Sequence, residues 1–412
     1  MNSPPSGGDF IRAARGGKIN KMDNNNTQRL LKRNPLLKIF NNYLYDSLMP
    51  LNLNYWFNFG SILGLFLIIQ IVTGVLLAMN YIPQVDLAFD SIEYIMREVP
   101  YGYIIRYTHA NGAALFFVAV YLHMARGLLY GSYTKPKTLT WSIGVIIFLL
   151  MIITAFIGYS LVFGQMSYWA IAVITNLLTV IPYVGHDLVQ FIYGGFNIGG
   201  PTLTRFYSLH YLLPFIIVAL SLAHLITLHH VGGSNPLGLN NVVSFVNFHP
   251  YYTFKDLLGF VIAILILVLL VFFNPNLLGH SDNYIPANPM VTPTHIVPEF
   301  YLLPFYALLR SIPNKTLGVI ALLGAILVLL LLPHLHLGLV NTSVFRPVYK
   351  LFLYLFFAVF ILLMYLGQAV PSEPFITIGQ LLGVYYFSFF LIFIPLISFL
   401  ETFFYLLING KT

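Results

Sequence analysis

The sequence contains no cysteine and few charged residues. The absence of cysteine in all 412 residues excludes disulfide bonds, covalent haem attachment through C-x-x-C-H and an iron–sulfur cluster held by this chain. Charged residues make up 8% and hydrophobic residues 58%, whereas soluble chains carry about 25% charged residues. The formal net charge is +7, but the basic residues are scattered over loop ends and the amino-terminal tail. This distribution favours membrane topology over nucleic-acid binding.

Eight apolar stretches each approach the roughly 20 residues that a transmembrane helix requires. They cover approximately residues 55–81, 103–130, 139–164, 206–230, 257–274, 317–334, 348–370 and 375–407. The sequence therefore predicts an all-α polytopic membrane protein with eight transmembrane helices. We expect a polar, basic arm with a surface helix over residues 1–53, a bundle of the first four spans over 54–245, and a carboxy-terminal region of four spans over 246–412.

The segments between and before the spans have their own signals. Residues from Leu30 to Leu48 are predicted as an amphipathic helix on the membrane surface or as a solvated arm. No apolar core of a signal peptide precedes them, which argues against a cleaved secretory signal. Two long connections, 165–201 and 274–316, are too polar and too rich in glycine and proline to cross the bilayer. They are also too apolar for disorder, and loops of this length are usually functional.

The lysines and arginines predict the orientation of the spans. If the amino terminus lies on the inner side, the inner loops and tail hold fifteen of the 20 basic residues. The five on the outer side are Arg97, Arg106, Arg205, Arg310 and Lys315. The second and fourth spans then both run from the outer to the inner side.

Four histidines form two pairs with the same spacing. His109 and His123 lie fourteen residues apart in the second span, and His210 and His224 lie fourteen apart in the fourth. Fourteen residues return to nearly the same helix face about 21 Å further along, so each histidine is level with one on the other span. A lone intramembrane histidine is often a core residue or part of a proton path. Two level pairs instead predict two haem irons, each clamped by facing imidazoles.

The same fourteen-residue interval recurs between glycines of the first and third spans. The pairs are Gly60 with Gly74 and Gly144 with Gly158. Small residues permit close helix packing, but their match to the histidine spacing favours contact with flat macrocycle edges at two depths. Arg106 and Arg126 lie three residues from His109 and His123. Each arginine is predicted to pair with haem propionates or to anchor its span at the interface.

Titratable residues stand near both ends of these histidine pairs. Glu299 lies in the long outer connection, where a carboxylate can accept a proton from a quinol. His229, Lys255 and Asp256 lie beside span ends on the inner side and can donate protons to a reduced quinone, although Lys and Asp at a helix start are also ordinary interface residues. A lipid-soluble two-electron carrier at each end fits the apolar surroundings.

Several stretches together resemble mitochondrial cytochrome b, the membrane core of the ubiquinol–cytochrome c reductase (respiratory complex III). They include RYTHANGA, YLHMARGLLYGSY, FGQMSYWA, LHYLLPFI, SNPLG, FKDL and DNYIPANPMVTPTHIVPEFYLLPFYALLRSIPNK. The resemblance runs from about residue 28 to the carboxyl end. It implies a bundle of the first four helices around two non-covalent b-type haems. The low-potential haem would be held by His109 and His210 near the outer side, and the high-potential haem by His123 and His224 near the inner side.

The resemblance also implies two quinone sites. The segment Pro298–Tyr301 matches the outer quinol-oxidation motif, with Glu299 inside it and Tyr306 nearby, and His229, Lys255 and Asp256 match residues of the inner quinone-reduction site. The implied function is oxidation of ubiquinol on the outer side. One electron then passes through both haems to quinone on the inner side, coupled to proton translocation.

The implied assembly is a homodimeric, multi-subunit complex. Because the chain has no cysteine, the first acceptor of the other electron must be a partner, and the resemblance points to a Rieske iron–sulfur protein and a cytochrome c-type subunit. Lipid and quinone are further expected partners, and nucleic acid is not. The implied location is the mitochondrial inner membrane, with the amino terminus on the matrix side.

The sequence departs from the family pattern at several positions. Phe300 stands where tryptophan is usual, Ala170 where glycine is usual, and Gly233 where serine is frequent. The loss of the serine hydroxyl puts one hydrogen bond at the inner quinone site in doubt. The first 25 or so residues also exceed the usual family start, and Met22 is an alternative start.

Two other functions fit parts of the pattern. A proton-coupled transporter could use intramembrane histidines as a relay, but it explains neither the equal spacing nor the matching glycines. A di-haem anchor of another oxidoreductase would need no Glu299 loop and no second quinone site. The presence of a Soret band separates the first alternative from the others.

The methyl group of Ala170 is expected to narrow the outer quinol pocket. Strobilurin-type compounds should therefore inhibit the wild type more weakly than an Ala170→Gly variant. The measurement is the inhibitor concentration that halves quinol oxidation in membranes from each strain. Equal values for the two proteins would contradict this interpretation.

Overall fold

The computed structural model describes residues 29–239, 244–408 and Gly410. The amino-terminal extension and the alternative start at Met22 lie outside the described residues. In chain order the helices are α1 Leu30–Arg33, α2 Pro35–Leu44, α3 Phe59–Ala78, α4 Ala88–Arg97, α5 Gly102–Tyr130, α6 Thr138–Ser160, α7 Gln165–Leu177, α8 Gly185–Tyr193, α9 Gly200–Val231, α10 Tyr251–Phe273, α11 Leu303–Ser311, α12 Lys315–Leu335, α13 Pro347–Gln368, α14 Phe375–Ser388 and α15 Ile394–Ile408. Strands β1 Leu48–Pro50 and β2 Phe245–Asn247 form one antiparallel pair.

The predicted number of membrane spans is confirmed. Over the described residues, 8 helices are long and apolar enough to cross a bilayer. They are Tyr55–Ala78, Gly102–Tyr130, Thr138–Ser160, Gly200–Val231, Tyr251–Phe273, Lys315–Leu335, Pro347–Gln368 and Phe375–Ile408. The largest differences from the predicted bounds lie in the fourth and fifth spans, since α9 already begins at Gly200 and α10 at Tyr251.

The amino-terminal arm forms a helix that is shorter than the predicted segment. Asn34 adopts an extended conformation before Pro35 and separates α1 from α2, as expected for a residue that precedes proline. The helix ends at Leu44, and Leu48 already belongs to β1, where it pairs with Asn247. The arm is thereby joined to the chain that follows the fourth span.

One face of α2 carries large exposed apolar side chains. Leu36, Ile39 and Phe40 are 77%, 59% and 65% exposed, and their spacing puts them on one side of the helix. An apolar stripe of this kind on a helix that cannot span the bilayer is typical of a helix lying at the membrane surface. The prediction of an amphipathic surface helix is therefore favoured over a solvated arm.

The first four spans pack as two pairs of neighbours. Helix α3 lies along α5, α6 lies along α9, and α9 also contacts α3. The histidine-bearing helices α5 and α9 thus face each other across the bundle, with α3 and α6 at their sides. The remaining core lies between the bundle and the helices α11 to α15, where Phe117, Phe148 and Phe389 are almost completely buried.

Both long connections contain helices that do not span the membrane. The connection after α6 forms α7 and α8, and the connection after α10 ends in α11. The second connection is fastened to α7 at several points. The side chain of Gln165 donates to the carbonyl of Val291 at 2.9 Å and accepts from the amide of Asn288 at 2.7 Å, and Asn283 accepts from the amide of Ser167 at 3.0 Å.

A buried arginine joins α13 to α15. Arg346 is only 2% exposed, its Nε lies 2.5 Å from Oε2 of Glu401, and Nη2 donates to the hydroxyl of Ser398 at 2.8 Å. The guanidinium also lies over the ring of Tyr349, 4.4 Å from its centre. These contacts supply the partners that a buried charge needs.

Replacement of Glu401 by glutamine is expected to destabilise the protein, because it leaves the Arg346 charge buried without its counter-ion. The expected loss is up to about 3 kcal/mol, at the low end for a broken buried pair, because the Glu401 side chain is still 27% exposed. The measurement is the midpoint of thermal unfolding in detergent micelles. Glu98→Gln, at an exposed position, is the control, and an equal midpoint for both variants would contradict the expectation.

Candidate functional site

The structure brings the four histidines together as two facing pairs. The ring centres of His109 and His210 lie 6.2 Å apart, and those of His123 and His224 lie 6.4 Å apart. Both pairs join α5 to α9. This arrangement requires the two helices to run in the same direction, as the count of spans predicts.

Hydrogen bonds at Nδ1 orient the rings of the outer pair. Nδ1 of His210 lies 2.9 Å from the carbonyl oxygen of Thr154, which can only accept, so this nitrogen carries the proton. Nδ1 of His109 lies 2.9 Å from the hydroxyl of Thr73, and that hydroxyl itself donates to the carbonyl of Ile69. In both rings Nε2 is therefore the unprotonated nitrogen, which is the form that binds a metal ion.

Each glycine of the fourteen-residue repeat lies against one of the histidine rings. A Cβ atom added at Gly74 or Gly158 would come within 3.1 Å of His109 and 2.3 Å of His210. At the other depth, a Cβ atom at Gly60 or Gly144 would come within 3.4 Å and 3.2 Å of His123 and His224. Glycine therefore provides the space for each ring at both levels.

A cavity of about 320 Å³ extends from the outer histidine pair toward the second long connection. Its wall includes Arg106, Glu299 and Tyr301 as well as both outer histidines. This volume lies in the usual range for small-molecule sites, which are mostly apolar with a few polar groups. Tyr306 is not part of that wall, because it donates to the carbonyl of Ile296 at 3.2 Å and lies under the guanidinium of Arg310.

Glu299 is one of two acidic residues of this cavity wall, and the other, Glu93, is paired with Arg97. Burial raises the pKa of Glu299 to about 7, and the positive charge of Arg106 opposes part of this rise. A carboxyl group with a pKa near the working pH can both accept and release a proton. The role of Glu299 as a proton acceptor stays a prediction, and the raised pKa is compatible with it.

Two aromatic residues of α5 hold the segment that carries Glu299. The ring of Tyr301 stacks on that of Phe117 with ring centres 4.0 Å apart and planes 4° from parallel. The hydroxyl of Tyr121 donates to the carbonyl of Tyr301. Phe117 and Tyr121 lie between the two histidines of α5, yet the sequence analysis missed both, since nothing local marks a contact with residues about 180 positions away.

Two of the positions that depart from the family pattern are buried or half-buried near this segment. Ala170 lies on α7 and is 8% exposed. The half-buried ring of Phe300 packs against the core formed by Met166, Val297 and Leu303, so an aromatic wall is present without an indole N–H.

The residues of the predicted inner cluster have different neighbours. Lys255 Nζ donates to the carbonyl of Leu53 at 2.5 Å, and Asp256 faces the hydroxyl of Ser61. The ring of His229 meets the edge of Tyr43, with ring centres 4.3 Å apart. The arm that carries Tyr43 thus covers His229, a contact that the sequence analysis did not predict.

The two remaining sites of interest on the inner side are Arg126 and Gly233. Arg126 Nη2 lies 3.1 Å from Nδ1 of His123, and its guanidinium lies over the ring of Phe57. A Cβ atom added at Gly233 would meet nothing within 4 Å, so the usual serine would fit at this position without a clash.

Comparisons with known proteins agree with this arrangement. The family described as "Cytochrome b/b6/petB" matches residues 44–232, and "Cytochrome b(C-terminal)/b6/petD" matches residues 286–387. The chain is 54% identical to cytochrome b of Yarrowia lipolytica over 376 residues, which cover 91% of this chain and 98% of the relative. It is 56% identical to cytochrome b of Epidermophyton floccosum over 374 residues, covering 90% and 94%.

A solved structure supports the same relationship. A chain of the "Hyperthermophilic respiratory Complex III" superposes with a TM-score of 0.85 at 33% identity, covering 90% of this chain and 98% of that chain. The two family matches together span more than half of the sequence, and the identities with the relatives extend over nearly all of it. The chain therefore belongs to the cytochrome b family, the membrane-embedded electron-transfer subunits of quinol–cytochrome c oxidoreductase.

Proposed function

We propose that this chain couples oxidation of ubiquinol at an outer site to reduction of quinone at an inner site. Two b-type haems, one held between the two histidines of each pair, would carry the electrons. The observation that carries the proposal is the pairing of His109 with His210 and of His123 with His224 across α5 and α9. Family membership favours electron transfer over a proton-coupled transporter, which needs no such pairs.

The spacing of the rings fits a haem iron with two axial imidazoles. An imidazole nitrogen binds a metal ion at about 2.0 Å and its ring centre lies about 1.1 Å further away, so two imidazoles on opposite sides of one metal ion would have ring centres about 6.2 Å apart. The observed separations are 6.2 and 6.4 Å. When bound, a haem with two histidine ligands supplies one-electron redox chemistry and leaves no position for oxygen. Glycines 60, 74, 144 and 158 keep the space beside the four rings free of side chains.

At the outer site, Glu299 accepts a proton of the bound quinol. Its pKa of about 7 means that roughly half of the molecules hold the carboxylate form at neutral pH. Arg106 lies close enough to stabilise the negative charge. Tyr301, stacked on Phe117, fixes the segment so that the carboxyl group stays at the cavity wall.

At the inner site, His229, Lys255 and Asp256 supply protons to the reduced quinone. Each lies near an inner helix end, and each has a polar or aromatic neighbour that orients it. Uptake of protons on the inner side and release from Glu299 on the outer side together move protons across the membrane. This directionality is the proposed basis of proton translocation.

The proposed setting is a homodimeric complex III of the mitochondrial inner membrane, with the amino terminus on the matrix side. Similarity to a chain of a respiratory complex III and to cytochrome b of Yarrowia lipolytica supports this assignment. The proposed partners are a Rieske iron–sulfur protein and a cytochrome c-type subunit. They provide the cysteine-bound cluster and the acceptor that this chain lacks.

The proposal is tested by a reduced-minus-oxidised absorbance spectrum with quinol as the donor, with and without an outer-site inhibitor. We expect two b-type haem signals in the wild type. The inhibitor should slow the reduction of these haems by quinol at the outer site. His210→Ala should remove one signal and His224→Ala the other, because each variant lacks one axial ligand. His230→Ala, next to the inner cluster but outside the pairs, is the control and should keep both. A wild type without a Soret band, or histidine variants that keep both signals, would refute the proposal.

Glu299 should make quinol oxidation depend on pH. As the pH falls through about 7, the carboxylate is protonated and can no longer accept a proton, so the rate should fall. Glu299→Gln should lower kcat by about tenfold, less than the roughly 10²–10⁴-fold typical of general-base catalysis because water can partly replace the carboxylate, and should remove this pH dependence.

The measurement for Glu299 is the initial rate of cytochrome c reduction between pH 5.5 and 8.5. The control is Glu93→Gln, because Glu93 also lines the cavity wall but forms an ion pair with Arg97 on α4. A Glu299→Gln variant with the wild-type pH profile would contradict the assigned role.

A further inference from the structure

Two basic side chains lie at the inner end of the bundle, Arg126 and Lys137, near enough for the charge of the first to act on the second. Arg126 follows His123 by three residues on α5, and Lys137 precedes the first residue of α6. Lys137 Nζ donates to the hydroxyl of Ser234 at 2.9 Å, just beyond the end of α9. Ser234 is only 7% exposed, so the ammonium group points into the protein.

Neither cation has an acidic partner in the described part of the chain. The ion pairs found there are Arg29 and Lys32 with Asp46, Arg97 with Glu93 and Arg346 with Glu401. Nε of Arg126 is buried and has no hydrogen-bond partner among those residues. Burial, and to a smaller extent the charge of Arg126, lowers the pKa of Lys137 to about 8. Two neighbouring positive charges with no counter-ion are unfavourable unless an anion joins them.

We propose that Lys137, held by Ser234, is a second cation beside Arg126 for the propionate groups of the inner haem. This inference rests on the proposed function, since it assumes a haem between His123 and His224. That haem would bring two carboxylates to the inner end of the bundle, where the pair of cations lies. A carboxylate there would also draw Arg126 away from Nδ1 of His123, which it now contacts at 3.1 Å.

The hydroxyl of Ser234 keeps the ammonium group of Lys137 in this place. An anionic lipid headgroup is the competing partner of Lys137. In that case the midpoint potential of the inner haem would not depend on the charge of Lys137.

The test is an equilibrium redox titration of the b haems in the intact complex, followed by absorbance. The variants are Lys137→Gln, the neutral and similarly long Lys137→Met, and Lys137→Arg, which keeps the charge. Lys135→Gln is the matched control, because Lys135 lies in the same loop but is exposed. Removal of a cation beside a propionate favours the oxidised haem, whose net charge is more positive.

We expect both neutral variants to shift the oxidised-to-reduced ratio of the inner haem about tenfold toward oxidised, a fall of 59 mV in its midpoint potential for one electron. In both neutral variants the oxidised-to-reduced ratio of the outer haem should stay within about twofold of wild type, or about 18 mV by the same conversion. The ratio of the inner haem should stay within the same limit in Lys137→Arg and in Lys135→Gln. An unchanged inner midpoint in Lys137→Gln and Lys137→Met, or an equal fall in Lys135→Gln, would overturn the inference. Failure of the proposed function is distinguishable, because the wild type itself would then show no inner haem signal.

Discussion

Facing imidazoles at two depths between α5 and α9 are the constraint on which the transmembrane bundle depends. An imidazole inside a membrane is costly unless it has a partner, so four of them in two helices require a common solution. The interval of fourteen residues provides it, because it keeps both histidines of a helix on one face. The helices must then run in parallel, and the residues opposite each ring must be small. Glycine on α3 and α6 meets that second requirement at both levels.

Glu299, the proposed outer proton acceptor, is held by the same helix. Phe117 and Tyr121 of α5 hold the turn that contains Tyr301, and Glu299 is two residues away in that turn. One rigid element therefore positions both the outer histidine and the carboxyl group at a shared cavity. Because the turn is buried, the carboxyl group loses its hydration, and its pKa rises into the range where it can exchange protons at neutral pH. Position and proton affinity thus have one structural cause.

Hydropathy and helix periodicity in the sequence were enough to predict eight spans and the pairing of histidine levels, because these depend on span count and helix geometry alone. The starts of α9 and α10 were less accurate, since the polar residues there are compatible with either helix or loop. Contacts between distant residues were not predictable. Tyr121 and Tyr301 are 180 positions apart and Lys137 and Ser234 are 97 apart, and no local pattern records such contacts. The separation of Tyr306 from the cavity wall likewise depends on the path of the second long connection.

The charges around the two histidine levels differ in a way that bears on the direction of electron transfer. Near the outer level, Arg106 lies close enough to Glu299 for its charge to oppose the rise in the carboxyl pKa, so the positive charge is partly offset whenever that group is ionised. Near the inner level, Arg126 and Lys137 have no acidic partner in the described part of the chain. Positive charge near a redox centre stabilises an added electron, and the effect grows as the effective dielectric constant falls. In the proposed function, the protein's own charges therefore favour the electron at the inner level. They favour electron transfer from the quinol side toward the quinone side, and this preference requires no conformational change.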